Sequence, residues 1–164
     1  MLHLYVQTTE RSELMEDTQN TCSQLNGCLF FSSGKLARVI GRTAEDAFKI
    51  TGLSPSYAFL LHIVNHSSGI HQKKIGEMLH MTPSTITRFV EKLENKGLIE
   101  RQTDGKNVHL FTTNKGLALQ PEIVKAWERL HDSYSGILTP EESAQFITTV
   151  NKLISRLEDS TPAQ

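Results

Sequence analysis

Two cysteines, one tryptophan and five prolines in 164 residues leave little room for several kinds of protein. Cys22 and Cys28 are too few for a disulfide scaffold. No apolar run approaches the roughly 18 residues that a membrane span needs, and no positively charged leader precedes a shorter run with a small-residue cleavage site. Charge of one sign is also scarce, since 17 lysines and arginines stand against 18 aspartates and glutamates, for a formal net charge of -1. A Gly-rich phosphate loop, a nucleophile elbow and a recognisable acid–base constellation are all missing, so neither an enzyme nor a cofactor is expected. What remains is a soluble, cytoplasmic chain without a membrane partner, 38% hydrophobic and long enough for one compact core with helical extensions.

The charge that is present is unevenly placed. Residues 71–116 hold eight basic and five acidic residues, a local excess of +3, while the remainder carries −4. Within that stretch, residues 82–97 read as a helix delimited at both ends. Thr82 has the chemistry of an N-cap, Pro83 fits the first helical position, and Gly97 supplies a left-handed stop. Ile86, Phe89, Val90 and Leu93 recur on one stripe, whereas Ser84, Arg88, Glu91 and Asn95 project from the other side. One face packs and the other is free to read something.

The neighbours give this helix its context. A helical pattern runs from Cys22 to about Lys49, with Leu29, Leu36, Val39, Ile40, Ala44 and Ala47 or Phe48 on one side. Ser54-Pro55 starts a second helix, on which Tyr57, Leu60, Leu61 and Val64 share a face until Ser67-Ser68-Gly69 breaks it. Gln72 to Leu79 makes a short third helix with Ile75, Met78 and Leu79 as its apolar side. Two short helices about four residues apart, the second with exposed Ser, Thr, Arg and Lys, form the pattern of a helix-turn-helix. After Gly97 the period changes. Residues 98–102 and 108–112 are rich in strand formers, and Asp104-Gly105 between them is a hairpin-turn signal, so a β-wing is expected. Ile123, Val124, Trp127, Leu130 and Tyr134 then share a helical face, and Thr139-Pro140-Glu141-Glu142 opens a last helix with Phe146, Ile147, Val150, Leu153, Ile154 and Leu157 on its stripe. These outer helices either thicken the core or form a subunit interface.

The run from Ile75 to Arg101, followed by Asp104-Gly105-Lys106 and by residues 110–116, resembles the MarR family of bacterial transcription regulators. The likeness extends at lower specificity over about residues 24–157. It implies a mainly α fold with a small β-wing, a winged helix-turn-helix flanked by N- and C-terminal dimerisation helices. The corresponding organisation is an irregular extension over 1–20, a dimerisation helix and turn over 21–53, a DNA-binding domain over 54–116, dimerisation helices over 117–158 and a tail over 159–164. The partners implied are double-stranded operator DNA, pseudo-palindromic in sequence, and a second copy of the chain. Such a regulator is usually a repressor relieved by a small molecule or an oxidant. The alternative is a winged-helix module that binds protein and not DNA.

Candidate DNA contacts are Ser84, Thr85, Thr87 and Arg88 toward the major groove, Lys73, Lys74 and Lys92 toward phosphates, and Lys106 with Asn107 at the wing. Lys106 stands where the family usually carries arginine, and a compact ammonium discriminates sequence less than a planar guanidinium. Residues 24–33 resemble the start of the first helix in the peroxide-sensing, OhrR-like branch, which makes Cys28 a candidate redox sensor; the alternative is a small apolar residue in a helix interface. An intersubunit bond from Cys22 is a further possibility. His62 and His66, at i and i+4, are either two of seven scattered histidines or half of a metal site, and no metal signature surrounds them. The family also implies an effector cleft, for which Tyr57, Leu61 and His62 are the candidates.

Overall fold

Residues 23–160 except Lys106 are described in a computed structural model. Residues 23–27 are helical and Cys28 interrupts that run. Then follow α1 (Leu29–Phe48), a 3-10 turn (Lys49–Thr51), α2 (Pro55–His66), β1 (Ile70–His71), α3 (Gln72–Leu79), α4 (Pro83–Asn95), β2 (Ile99–Asp104), β3 (Asn107–Thr112), α5 (Asn114–Ala118), α6 (Gln120–Ser135) and α7 (Pro140–Asp159). The expectation of a mainly helical fold with a small β-wing holds. The extension over 1–20, Cys22, Lys106 and residues 161–164 lie outside the described residues.

The chain divides into two units, one ending at Thr43 and one beginning at Ala44. In the first, α1 leaves Leu29, Leu36, Val39 and Ile40 exposed. The second contains the last turn of α1 and everything after it. Its core collects Ala44, Ala47 and Phe48 of α1, Leu60, Leu61 and Val64 of α2, Ile75 of α3, Ile86, Val90 and Leu93 of α4, Ile99, Leu110 and Ile123. Each fully buried Leu, Ile, Val or Phe among them contributes about 1.5–3 kcal/mol by leaving water. Helical spacing decides which side chains take part. On α4 the stripe read from the sequence is the buried one, and Ser84, Arg88, Glu91 and Asn95 are exposed.

Three expectations need correction. Met78 is half exposed, so the apolar face of α3 rests on Ile75 and Gly76, with Leu79 partly buried. On α6 the buried residues are Ile123, Ala126 and Leu130, while Val124 and Trp127 are more than 40% exposed, because the packed stripe is rotated from the one inferred. The stripe of α7 is not buried in the single chain at all: Phe146 is 45% and Ile147 56% exposed.

The sheet was only partly foreseen. Its order is β1-β3-β2, all antiparallel, with Ile70 opposite Leu110 and Ile99 opposite Thr112. Pairing in the wing continues to Asp104 opposite Asn107, which is tighter than the five-residue connection expected. Gly105 takes the left-handed conformation (φ 58°) that such a turn requires and that glycine adopts at no steric cost. Beyond the wing, Thr113 caps α5 by accepting from the Gly116 amide at 3.0 Å. Gly116 itself is pressed against strand β2's approach: a Cβ there would lie 2.1 Å from the Leu98 carbonyl oxygen.

Candidate nucleic-acid interface

The reading helix is fixed by its ends. The Thr82 hydroxyl accepts from the Thr85 amide at 3.4 Å and contacts the Ser84 and Thr85 hydroxyls at 3.1 and 2.9 Å. At the other end Gly97 is left-handed (φ 68°), and its amide donates to the Glu94 carbonyl at 2.7 Å. Arg101 of β2 pairs with Glu94 at 2.7 Å, tying the wing's first strand to α4. The turn before α4 uses an L-residue in left-handed conformation, His80 (φ 49°), and the Met81 amide reaches back to the Gly76 carbonyl at 3.0 Å. Ser54, read as a second cap, has the extended backbone of one but makes no capping hydrogen bond.

An open cleft of about 650 Å³ gathers parts of five elements: His71 of β1, Gln72 and Lys73 of α3, Pro83 at the start of α4, Asn107 and Val108 of the wing, and Glu158 of α7. At one edge His80 Nδ1 lies 2.8 Å from Glu158 Oε1 of α7, a contact between distant segments that no local spacing announces. The start of the reading helix and the wing therefore open onto one surface.

The candidate contacts occupy different situations. Ser84 and Arg88 are exposed. Thr87 is partly buried and its hydroxyl is engaged, donating to the Pro83 carbonyl at 2.9 Å and accepting from Gln72 Nε2 at 3.0 Å. It is placed to fix α3 against α4. Lys73 and Lys74 lie 4.0 and 3.8 Å from the two carboxylate oxygens of Glu77, in exposed pairs that water and salt weaken. Lys92 and Arg88 have no ion pair among the described residues. Instead Lys92 Nζ stands 5.0 Å from the ring centroid of Tyr57 and the Arg88 guanidinium 5.8 Å from that of Phe89. Asn107 is exposed at the wing, next to Lys106.

The three residues expected to line an effector cleft have different neighbours in the single chain. Leu61 is fully buried, Tyr57 stacks on Phe89 of α4 at 4.3 Å, and His62 faces Gln120 and Trp127 of α6. The rings of His62 and His66 are 4.2 Å apart, but Nδ1 of His62 is taken by Gln120 and Nδ1 of His66 lies 2.9 Å from the His62 carbonyl. Among the described residues no group of three or more His, Cys, Asp or Glu is arranged to hold a metal. Cys28 is exposed and unpaired at the break before α1.

The MarR family model matches residues 53–107, from the loop before α2 to the wing. That segment, about a third of the chain, is similar to the MarR family. The chain is similar to the HTH-type transcriptional regulator YybA of Bacillus subtilis (strain 168), being 26% identical over 128 residues that cover 76% of it and 85% of that relative. Among solved structures, a MepR–DNA complex from S. aureus superposes with a TM-score of 0.71 at 19% identity, over 79% of this chain and 98% of that one. The repressor CouR bound to p-coumaroyl-CoA gives 0.73 at 17% identity, over 80% and 94%. At such identities the structural likeness concerns the fold. The matched segment overlaps the motif read from residues 75–116.

Proposed function

We propose that this MarR-type chain is a sequence-specific, double-stranded DNA-binding transcription regulator, acting as a homodimeric repressor on a pseudo-palindromic operator and relieved by a small ligand or an oxidant. The observation that carries the reading is the single surface shared by the start of α4, the N-terminal turn of α3 and the wing. Arg88 reads base edges, with Ser84 and Thr85 beside it at the start of the helix, and Thr87 acts by fixing that helix on α3. Lys73, Lys74 and Lys92 meet backbone phosphates, and Lys106 with Asn107 supplies the wing contact. Each bidentate base contact is worth about 1–3 kcal/mol of discrimination, and the phosphate contacts supply affinity that falls with salt.

The homodimer is supported by α7, which buries no residue in the single chain although Phe146, Ile147, Leu153 and Ile154 share its apolar side. Such a stripe marks an interaction site. A second copy is the economical cover, because two-fold pairs of reading helices match paired half-sites. Cys28, being exposed, is the candidate for oxidant relief.

Selection of duplexes from random DNA by the purified chain tests the reading. Enriched sequences are expected to contain two half-sites about one helical turn apart, with binding that weakens steeply as salt rises. Failure to enrich any duplex, with the chain folded, overturns it in favour of a protein-binding module.

A further inference from the structure

Four cations serve the proposed phosphate and base contacts of α3 and α4, and they are held in two ways. Lys73 and Lys74 lie beside Glu77, where a carboxylate offsets their charge. Lys92 and Arg88 are set over aromatic rings. The difference is electrostatic. A π face attracts a cation through its quadrupole without carrying a net charge, so it restricts the side chain and leaves the full charge for another partner.

We propose that Tyr57 is a positioning residue for DNA binding: its ring, stacked on Phe89, holds the Lys92 ammonium ready for a backbone phosphate. This rests on the DNA-binding reading above. The platform is built from two elements. Tyr57 comes from the first turn of α2 and Phe89 from the middle of α4, with ring centroids 4.3 Å apart and planes 29° from parallel. Phe89 is 9% exposed and belongs to the core, so it fixes the plane of the tyrosine. Lys92, one turn after Arg88 on α4, then has its ammonium 5.0 Å from the Tyr57 centroid, within the roughly 6 Å over which the attraction operates. A long exposed lysine otherwise loses considerable rotamer freedom on meeting a phosphate, and a preset side chain loses less. Tyr57 thus contributes to affinity without itself touching DNA.

The probe is a duplex enriched by the wild-type chain, titrated by fluorescence anisotropy over a range of salt. Lys92→Met is expected to lower the slope of log K against log salt by about 0.9, the loss of one phosphate contact. Tyr57→Leu is expected to weaken binding about two- to five-fold, and to have no further effect once Lys92 is methionine. Tyr57→Phe, which keeps the ring and drops the hydroxyl, is expected to bind as the wild type does. In the free protein, the ε-methylene protons of Lys92 should be shifted upfield by the ring in the wild type and in Tyr57→Phe, and return to ordinary values in Tyr57→Leu. Should the leucine variant melt early, Tyr57→Met keeps bulk against Phe89 without a π face and is used in its place. An equal loss from Tyr57→Leu with and without Lys92 overturns the role, as does a Tyr57→Phe variant as weak as Tyr57→Leu. A wild-type chain that binds no duplex removes the DNA-binding reading as well.

Discussion

The side-chain amide of Gln120 donates to Nδ1 of His62 at 2.8 Å and accepts from Nδ2 of Asn65 at 2.9 Å. Asn65 in turn accepts from the Thr112 hydroxyl at 2.6 Å and donates to the Gly116 carbonyl at 3.0 Å. One relay of amides thereby joins α2, the end of the wing and the start of α6, with each donor facing an acceptor. Burial, and then the neighbouring charge of His66, hold the His62 imidazole below the ordinary histidine range. The unfolded chain therefore binds this proton more tightly than the folded one. The contribution of His62 to stability is fully present above the ordinary value of 6.5 and is lost as pH falls through the lower folded value. Melting temperature is expected to drop between about pH 8 and about pH 5, and to drop less in His62→Gln. An identical profile in the two proteins would contradict the assignment.

Gly116 and Gly136 should respond oppositely to alanine. At Gly116 the new methyl meets the Leu98 carbonyl backbone, which has no flexible end to move, and the cost is set at about 3 kcal/mol, the upper part of the overpacking range. At Gly136 nothing lies within 4 Å and φ is −87°, so alanine gains about 0.4–1 kcal/mol by restricting the unfolded chain. Urea denaturation of the two variants distinguishes them; equal effects would mean that the approach of α5 to Leu98 is looser than described.

Two residues with the same sequence signature should differ as caps. Thr82→Ala removes a hydroxyl that accepts from the helix, at about 0.5–2 kcal/mol. Ser54→Ala removes one that makes no capping bond and should cost less. Equilibrium unfolding decides the order.

For DNA, Arg88→Ala is expected to lose about 1–3 kcal/mol and to relax base preference at one position of each half-site. Lys73→Ala should weaken all duplexes alike and more modestly, since Glu77 already faces that lysine. The pair is measured on the selected duplex and on its single-base variants. Unchanged base preference in Arg88→Ala would remove that residue from the reading surface.

If α7 meets a second copy, Ile147→Glu places a charge in the interface. Sedimentation should then show a monomer where the wild type is a dimer, with weaker operator binding. A variant that sediments as the wild type does would locate the dimer contact elsewhere.

Much of the helix-turn-helix and its wing is legible because its signals are local. Thr82, Pro83 and Gly97 delimit α4 through chemistry that acts within one turn, and Asp104-Gly105 marks the wing for the same reason. β1 was missed because two residues show no alternation; Ile70 and His71 become a strand only by meeting Leu110 and His109. α5 was missed because its Gly116 lowers helix propensity while answering a packing demand from Leu98, a contact invisible in sequence. The grouping of Tyr57, Leu61 and His62 came from the family resemblance and not from a local sequence signal. The platform of Tyr57 and Phe89 under Lys92 joins residues 32 and 35 positions apart, and no spacing rule reaches that far.

The short strand β1 sets how the wing works as a lever. It clamps β3 at His109 and Leu110, and the Gly69 amide adds a bond to the Leu110 carbonyl at 2.7 Å, so the fulcrum lies there. Beyond it only the pairs Thr103 with Val108 and Asp104 with Asn107 project, an overhang of about 7 Å at roughly 3.4 Å per residue. So short a cantilever is stiff but has little span. Under the DNA-binding reading proposed above, it rests on the near rim of a groove and registers the duplex against α4, while discrimination between base pairs falls to the helix.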